Sequence, residues 1–85
     1  MRHEIKIGMD FADAIVRGEK SFELRRNDRG YQKGDEIAFR VVDREGNLMP
    51  YHTLNQELFV IEYVLSGWGL REGFVAFSIK KTIPF

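Results

Sequence analysis

The chain has 85 residues and no cysteine, and together these two facts restrict what it can fold into. A chain of this length has room for one hydrophobic core and buries only about 60 to 65% of the surface that its unfolded form exposes. Without cysteine, neither a disulfide bond nor a thiolate-bound metal can stabilise that core. We therefore expect residues 1–85 to form a single domain that depends on side-chain packing.

The charge composition argues against a protein that binds nucleic acid by general electrostatic attraction. Thirteen Lys and Arg residues balance 13 Asp and Glu residues, whereas such binders usually carry a basic excess. The charges are nevertheless unevenly distributed. Residues 17–33 contain six basic and three acidic residues, and residues 43–79 contain two basic and five acidic residues. The first of these segments is locally basic and is a candidate binding surface.

Several classes of partner are not expected. Residues 1–6 lack the apolar run of a signal peptide, and the longest nearly apolar stretch, residues 58–65, is too short to cross a bilayer. The sequence therefore predicts a cytoplasmic protein without a membrane partner. His3 and His52 lack the spacing of metal ligands, so we predict no metal and no cofactor. Neutrality at pH 7 leaves the oligomeric state open.

Short stretches with period-two alternation dominate the chain and predict strands. They cover residues 2–7, 21–25, 36–41, 58–65 and 74–81. A helix is predicted over about residues 10–17, capped by Asp10 and ended by Gly18, with Phe11 and Ile15 packed inward. Residues 48–56 contain Pro50 and are predicted to be a loop with edge-strand character.

Strand parity also predicts which side chains are buried. In the second strand, Phe22 and Leu24 are expected in the core, while Glu23 and Arg25 share the opposite, polar face with Ser21. Six residues of the last two strands are assigned to the core: Phe59, Ile61, Tyr63, Val75, Phe77 and Ile79.

Five or so strands with one helix favour an α+β, mainly β fold. We predict a small antiparallel β-barrel of five or six strands, with the N-terminal helix covering one opening. A doubly wound sheet is disfavoured because only one helix is present.

The segment Gly18–Arg25 resembles the Gly-x-Lys-x-x-Glu-x-Arg signature of the ASCH domain, with Lys20 and Glu23 at the inner signature positions. Lys33-Gly34-Asp35 and the strand Phe74–Ile79 also agree with that family. Within it, the chain most resembles a branch of small uncharacterised bacterial and phage proteins. That branch shares the segments His3–Ile7, Arg25–Arg29 and Leu65–Leu70. Residues 48–56 depart from the family pattern.

The resemblance implies a PUA-like barrel and a polar cleft that binds RNA or a modified nucleotide. The residue chemistry is compatible with this, because Arg25 offers a planar fork, Lys20 a point charge and Glu23 a hydrogen-bond acceptor. The alternative is an ion pair between Glu23 and Arg25 on a solvated strand face. Further candidate contacts to the ligand are Ser21, Arg26 and Trp68. Trp68, between two glycines, would stack on a base or else plug one end of the barrel.

Two other functions are implied less directly. One branch of ASCH-like proteins hydrolyses acylated pyrimidine nucleosides, with a Lys that activates a Thr three residues later. In this chain that position is Glu23, so we assign no catalytic residue. A protein-interaction module of phage or bacterial origin is the remaining alternative.

Overall fold

The computed structural model describes residues 1–82, in which five strands and one α-helix follow the boundaries of the sequence pattern closely. The elements are β1 (Arg2–Gly8), α1 (Met9–Val16), β2 (Phe22–Arg26), β3 (Glu36–Val42), β4 (Leu58–Ser66) and β5 (Phe74–Lys81), with a 3₁₀ helix at Thr53–Gln56 between β3 and β4. Among these helices, none is long and apolar enough to span a membrane.

The strands form one mixed sheet in the order β1-β3-β4-β5-β2, curled into a half-barrel. Three neighbouring pairs are antiparallel, but β1 and β3 run parallel, which corrects the prediction of a purely antiparallel barrel. The parallel pair forms because the chain between Gly8 and Glu36 is long enough to cross over and contains a helix. Within residues 1–82, β1 and β2 are the two edges of the sheet.

The hydrophobic core lies on one face of this sheet. Alternate residues of β1, β3 and β5 are buried there, which confirms the alternation expected for those strands. Leu54 of the 3₁₀ helix and Ile15 of α1 also belong to this core. Residues 48–56 are mostly loop, with a single bridge between Val42 and Leu48 as their only strand pairing in the described chain.

The helix begins one residue earlier than predicted and exposes its single aromatic residue, Phe11. Gly8 rather than Asp10 occupies the N-cap, and Asp10 instead pairs with Arg44 at 3.2 Å. The helix ends as predicted, since Gly18 follows it in a left-handed conformation with φ of 79°. Ile15 is buried, but Phe11 is 61% exposed, so its predicted inward packing is wrong.

The strand β2 faces the opposite way from the prediction. Glu23 is only 5% exposed, whereas Phe22 and Leu24 are about half exposed, at 50% and 54%. The pairing with β5 explains the inversion, because Glu23 lies opposite Phe77 and directly paired residues share a face of the sheet. Phe77 belongs to the core, so Glu23 is turned toward the interior with it.

A register shift in β4 accounts for a second wrong prediction. Phe59 and Ile61 are buried as expected, but Tyr63 is 64% exposed. The pairing of β4 with β5 is irregular between Ile61 and Tyr63. An extra residue at such a bulge reverses the side-chain parity beyond it, so alternation read from the sequence fails there.

One buried polar cluster lies at the start of β3. The carboxylate of Asp35 accepts hydrogen bonds from His3 Nε2 at 2.8 Å and from the backbone N–H of Gln32 at 3.1 Å. The bond from His3, more than any other contact, holds the pKa of Asp35 below its ordinary value. The His3 ring in turn packs on Tyr31, with 4.8 Å between the ring centroids.

Candidate functional site

A cleft of about 640 Å³ lies between the two edge strands of the sheet. Residues Lys6–Gly8 of β1 form one wall and β2 forms the other, with Phe11 and Phe74 also in the lining. The cleft exists because β1 and β2 are the first and last strands in the order of the sheet and do not pair with each other, which leaves a gap between them. Its volume falls in the range of about 300 to 1,000 Å³ that is usual for small-molecule sites.

The three charged residues of the Gly18–Arg25 segment meet in this cleft. Glu23 accepts a short hydrogen bond from Lys20 Nζ on one carboxylate oxygen, and Arg25 Nη2 lies 3.2 Å from the other. The ion pair between Glu23 and Arg25, which was the alternative to a binding site, is therefore present. Its carboxylate is buried in the wall of the cleft, however, and does not lie on a solvated strand face. Glu23 holds both cations in fixed positions.

Lys20 reaches the cleft because it lies in the corner between α1 and β2, before the chain becomes extended. Its ammonium group donates to the carbonyl of Phe22 at 2.7 Å and lies 5.5 Å and 5.2 Å from the ring centroids of Phe11 and Phe22. Its side chain is only 13% exposed. Lys20 is thus a positioned cation that uses two of its three ammonium hydrogens within residues 1–82 and has one left for a ligand.

Two arginines bridge the gap between the edge strands. Arg25 Nη2 donates a short hydrogen bond to the carbonyl of Lys6, and Arg29 Nη1 donates to the carbonyl of Glu4 at 2.7 Å. The hydrogen bonds of Arg25 within residues 1–82 use Nε and Nη2. The two Nη1 hydrogens therefore have no acceptor in this part of the chain and can serve a ligand.

Aromatic and aliphatic side chains supply the rest of the lining. Phe22 and Leu24 turn their half-exposed side chains toward the cleft, and Arg26 packs over the ring of Phe74 at 5.0 Å. Tyr31 is buried and also lines the cleft. Burial raises the pKa of its phenol, and the positive charges of Arg25 and Arg29 oppose this shift.

The cleft is strongly positive although the chain as a whole is neutral. Five cationic side chains line it against two anionic ones, which leaves a formal charge of +3. They are Lys6, Lys20, Arg25, Arg26 and Arg29, opposed by Glu23 and Asp28. The locally basic segment of the sequence therefore becomes one wall of a cleft.

The predicted site residues separate into two groups. Lys20, Glu23 and Arg25, together with Arg26, line the cleft, whereas Ser21 and Trp68 do not. Trp68 is 90% exposed, so it does not plug an end of the sheet.

Sequence reasoning missed several residues that line the cleft, among them Lys6, Phe11, Arg29 and Phe74. Arg29 lies within the basic segment and could have been included on its charge. The aromatic residues carried no such signal, because the alternation pattern assigned them no place at a cleft. Among residues 1–82, no group of three or more His, Asp or Glu side chains is arranged to hold a metal ion.

The chain is similar to one family of proteins and to a phage protein. The family described as "Domain of unknown function (DUF3850)" matches residues 2–79. Over 35 residues the chain is 37% identical to an "Uncharacterized 12.9 kDa protein in GpA 3'region" of Escherichia phage P2. This alignment covers 41% of the chain and 32% of the phage protein, so the chain matches about a third of that relative's length.

Proposed function

The chain belongs to the DUF3850 family, and we propose that it binds a nucleotide in the cleft, either free or as part of single-stranded RNA. The observation that carries the proposal is the arrangement of Lys20 and Arg25 on the buried carboxylate of Glu23, inside a cleft of positive charge. Such an arrangement offers hydrogen-bond donors whose positions are fixed before a ligand arrives.

The phosphate group of a nucleotide suits the cationic part of the cleft. Guanidinium groups form strong charge-assisted hydrogen bonds with phosphate oxygens, and a lysine adds a point charge. Arg25 keeps its Nη1 hydrogens for this purpose, while Glu23 and the Lys6 carbonyl fix the plane of its guanidinium group.

The base suits the apolar part of the cleft. Phe11 and Phe22 present exposed rings beside the ammonium group of Lys20, and Phe74 presents a ring beside Arg26. Proteins that bind unpaired bases commonly stack them on aromatic rings and on guanidinium planes. The cleft thus combines the two chemistries that a nucleotide requires within one volume.

The resemblance of residues 18–25 to the ASCH signature also supports the proposal. In this structure Lys20, Glu23 and Arg25 of that signature lie together in the cleft. A PUA-like relationship would fit the curled, mainly β sheet, although here one strand pair is parallel. We propose that this chain is related to the ASCH domain and that its cleft derives from that relationship.

The direct test is calorimetric titration of the protein with the four ribonucleoside 5′-monophosphates and with the unphosphorylated nucleosides. We expect at least one monophosphate to bind, and to bind more tightly than its nucleoside, because the cationic wall recognises the phosphate. If no monophosphate and no hexamer of A or U binds, the proposal is wrong.

The salt dependence of binding gives an independent prediction. A cleft that neutralises one to a few phosphates should show a slope of about −2 or shallower when the logarithm of the binding constant is plotted against the logarithm of salt concentration. Titration of a uridine or adenosine hexamer at several KCl concentrations measures this slope. A much steeper slope would indicate an extended basic track and would contradict binding confined to the cleft.

A further inference from the structure

The turn between β4 and β5 holds the only tryptophan of the chain in an unusual conformation. Trp68 has a φ of 52°, and the glycines on either side have φ of 72° and 88°. A left-handed backbone is unfavourable for any residue with a bulky side chain, and glycine would adopt it without cost. The indole is also 90% exposed, so it contributes almost no packing in return.

A bulky residue held in a left-handed backbone is an outlier of the kind that clusters at binding sites, and here no packing of the ring compensates for it. The exposure is not that of an ordinary surface residue, because the large side chain stands on a short turn between two glycines. Neither the core nor the cleft lining of residues 1–82 includes Trp68.

The turn adjoins one end of the cleft. Arg26, which lines the cleft, pairs with Phe74, the first residue of β5 after the turn. The backbone N–H of Asn27 also donates to the carbonyl of Gly73 at 2.8 Å. The segment that carries Trp68 is therefore attached to the wall formed by Arg26 and Phe74.

We propose that Trp68 stacks on a second base of a single-stranded RNA whose neighbouring nucleotide occupies the cleft. This inference rests on the proposed function and defines the ligand class more closely, as a strand of at least two nucleotides. A strand that leaves the cleft past Arg26 and Phe74 would run toward the turn, because Phe74 is the first residue after it. The indole then provides a stacking platform that tolerates any base, because every base has an aromatic face.

Because Trp68 is the only tryptophan, its fluorescence reports directly on the proposed contact. We expect a uridine or adenosine hexamer to quench this fluorescence, and UMP or AMP to bind without quenching it. We also expect Trp68→Ala to weaken hexamer binding by about fivefold or more, the usual effect of removing one stacking ring, and to leave monophosphate binding unchanged. Trp68→Phe should retain most of the hexamer affinity.

Tyr51→Ala is the matched control, since Tyr51 is 95% exposed but lies in the loop after β3, outside the cleft lining. It should change neither the hexamer affinity nor the monophosphate affinity.

If monophosphates bind and the hexamer binds no more tightly, the second contact is wrong while the cleft proposal stands. The same holds if Trp68→Ala binds the hexamer as the wild type does. If Trp68→Ala loses monophosphate binding as well, Trp68 belongs to the cleft site and the inference is also wrong. Self-association that Trp68→Ala abolishes, without quenching by the hexamer, would instead assign the turn to a protein interface.

Discussion

Replacing Arg25 with alanine is expected to weaken monophosphate binding by about 1 to 3 kcal/mol, because a charge-assisted hydrogen bond from its Nη1 group to a phosphate oxygen is lost. This corresponds to a loss of affinity of about 5- to 150-fold. Arg25→Lys should recover only part of the loss, because an ammonium group keeps the charge but not the planar fork. Titration calorimetry of both variants with UMP and AMP measures the effect.

The structure also predicts a stability change for Arg25→Ala. The side chain donates to Glu23 and to the Lys6 carbonyl across the gap, and losing these bonds should cost about 1 kcal/mol of unfolding free energy. Arg40→Ala is the matched control, since Arg40 is an exposed arginine of β3 that pairs with Glu4 outside the cleft. Unchanged monophosphate binding by folded Arg25→Ala would show that nucleotides bind elsewhere.

The second large effect concerns folding. Asp35→Asn is expected to lower the free energy of unfolding at pH 7 by about 1 to 3 kcal/mol, because a charged acceptor of three hydrogen bonds, from His3, the Gln32 backbone and the N-terminal ammonium group, is lost beside a buried histidine. A carboxylate can only accept, so His3 carries its proton on Nε2 in this pair. For a domain of this size, each kcal/mol lowers Tm by about 4 to 8 °C.

The direction of the pH dependence follows from the lowered pKa of Asp35, whose first cause is the hydrogen bond from His3. A carboxyl with a lower pKa in the folded state stabilises the fold above its unfolded pKa, about 3.9, and loses this contribution as the pH falls through the folded value. The advantage of the wild type over Asp35→Asn should therefore be full near pH 7 and shrink below about pH 4.

Thermal melts of the wild type and Asp35→Asn between pH 2 and pH 8 measure this difference. Glu36→Gln serves as the control, because its exposed pair with Arg2 should contribute less than about 1 kcal/mol at any pH. A difference between wild type and Asp35→Asn that stays constant down to pH 2 would contradict the role assigned to the carboxylate.

The sequence predicts the strands well but not the arrangement around the cleft. Alternation locates β1, β3 and β5 because each buries one face against the same core. It fails for β2, where the apolar residues Phe22 and Leu24 line the cleft and the charged Glu23 is buried. Alternation cannot distinguish these two faces, since the pairing of Glu23 with Phe77 of β5, which turns Glu23 toward the interior, joins residues far apart in the sequence.

The candidate site was predictable in part. The signature formed by Lys20, Glu23 and Arg25 identified a segment that lines the cleft, because these residues lie close together along the chain. The contributions of Lys6, Arg29 and Phe74 depend instead on which strands form the edges of the sheet. Pairing over long sequence separations sets that order, and a local pattern does not specify it.

The open edge of β1 has a consequence for solubility. An exposed strand edge offers backbone groups to which another chain can pair, and such pairing begins many aggregates. Here the carbonyls of Glu4 and Lys6 already accept hydrogen bonds from Arg29 and Arg25, so an incoming strand would have to displace two guanidinium groups. The arginines that line the cleft thus also protect the protein from edge-to-edge aggregation, which ties its solubility to the composition of its site.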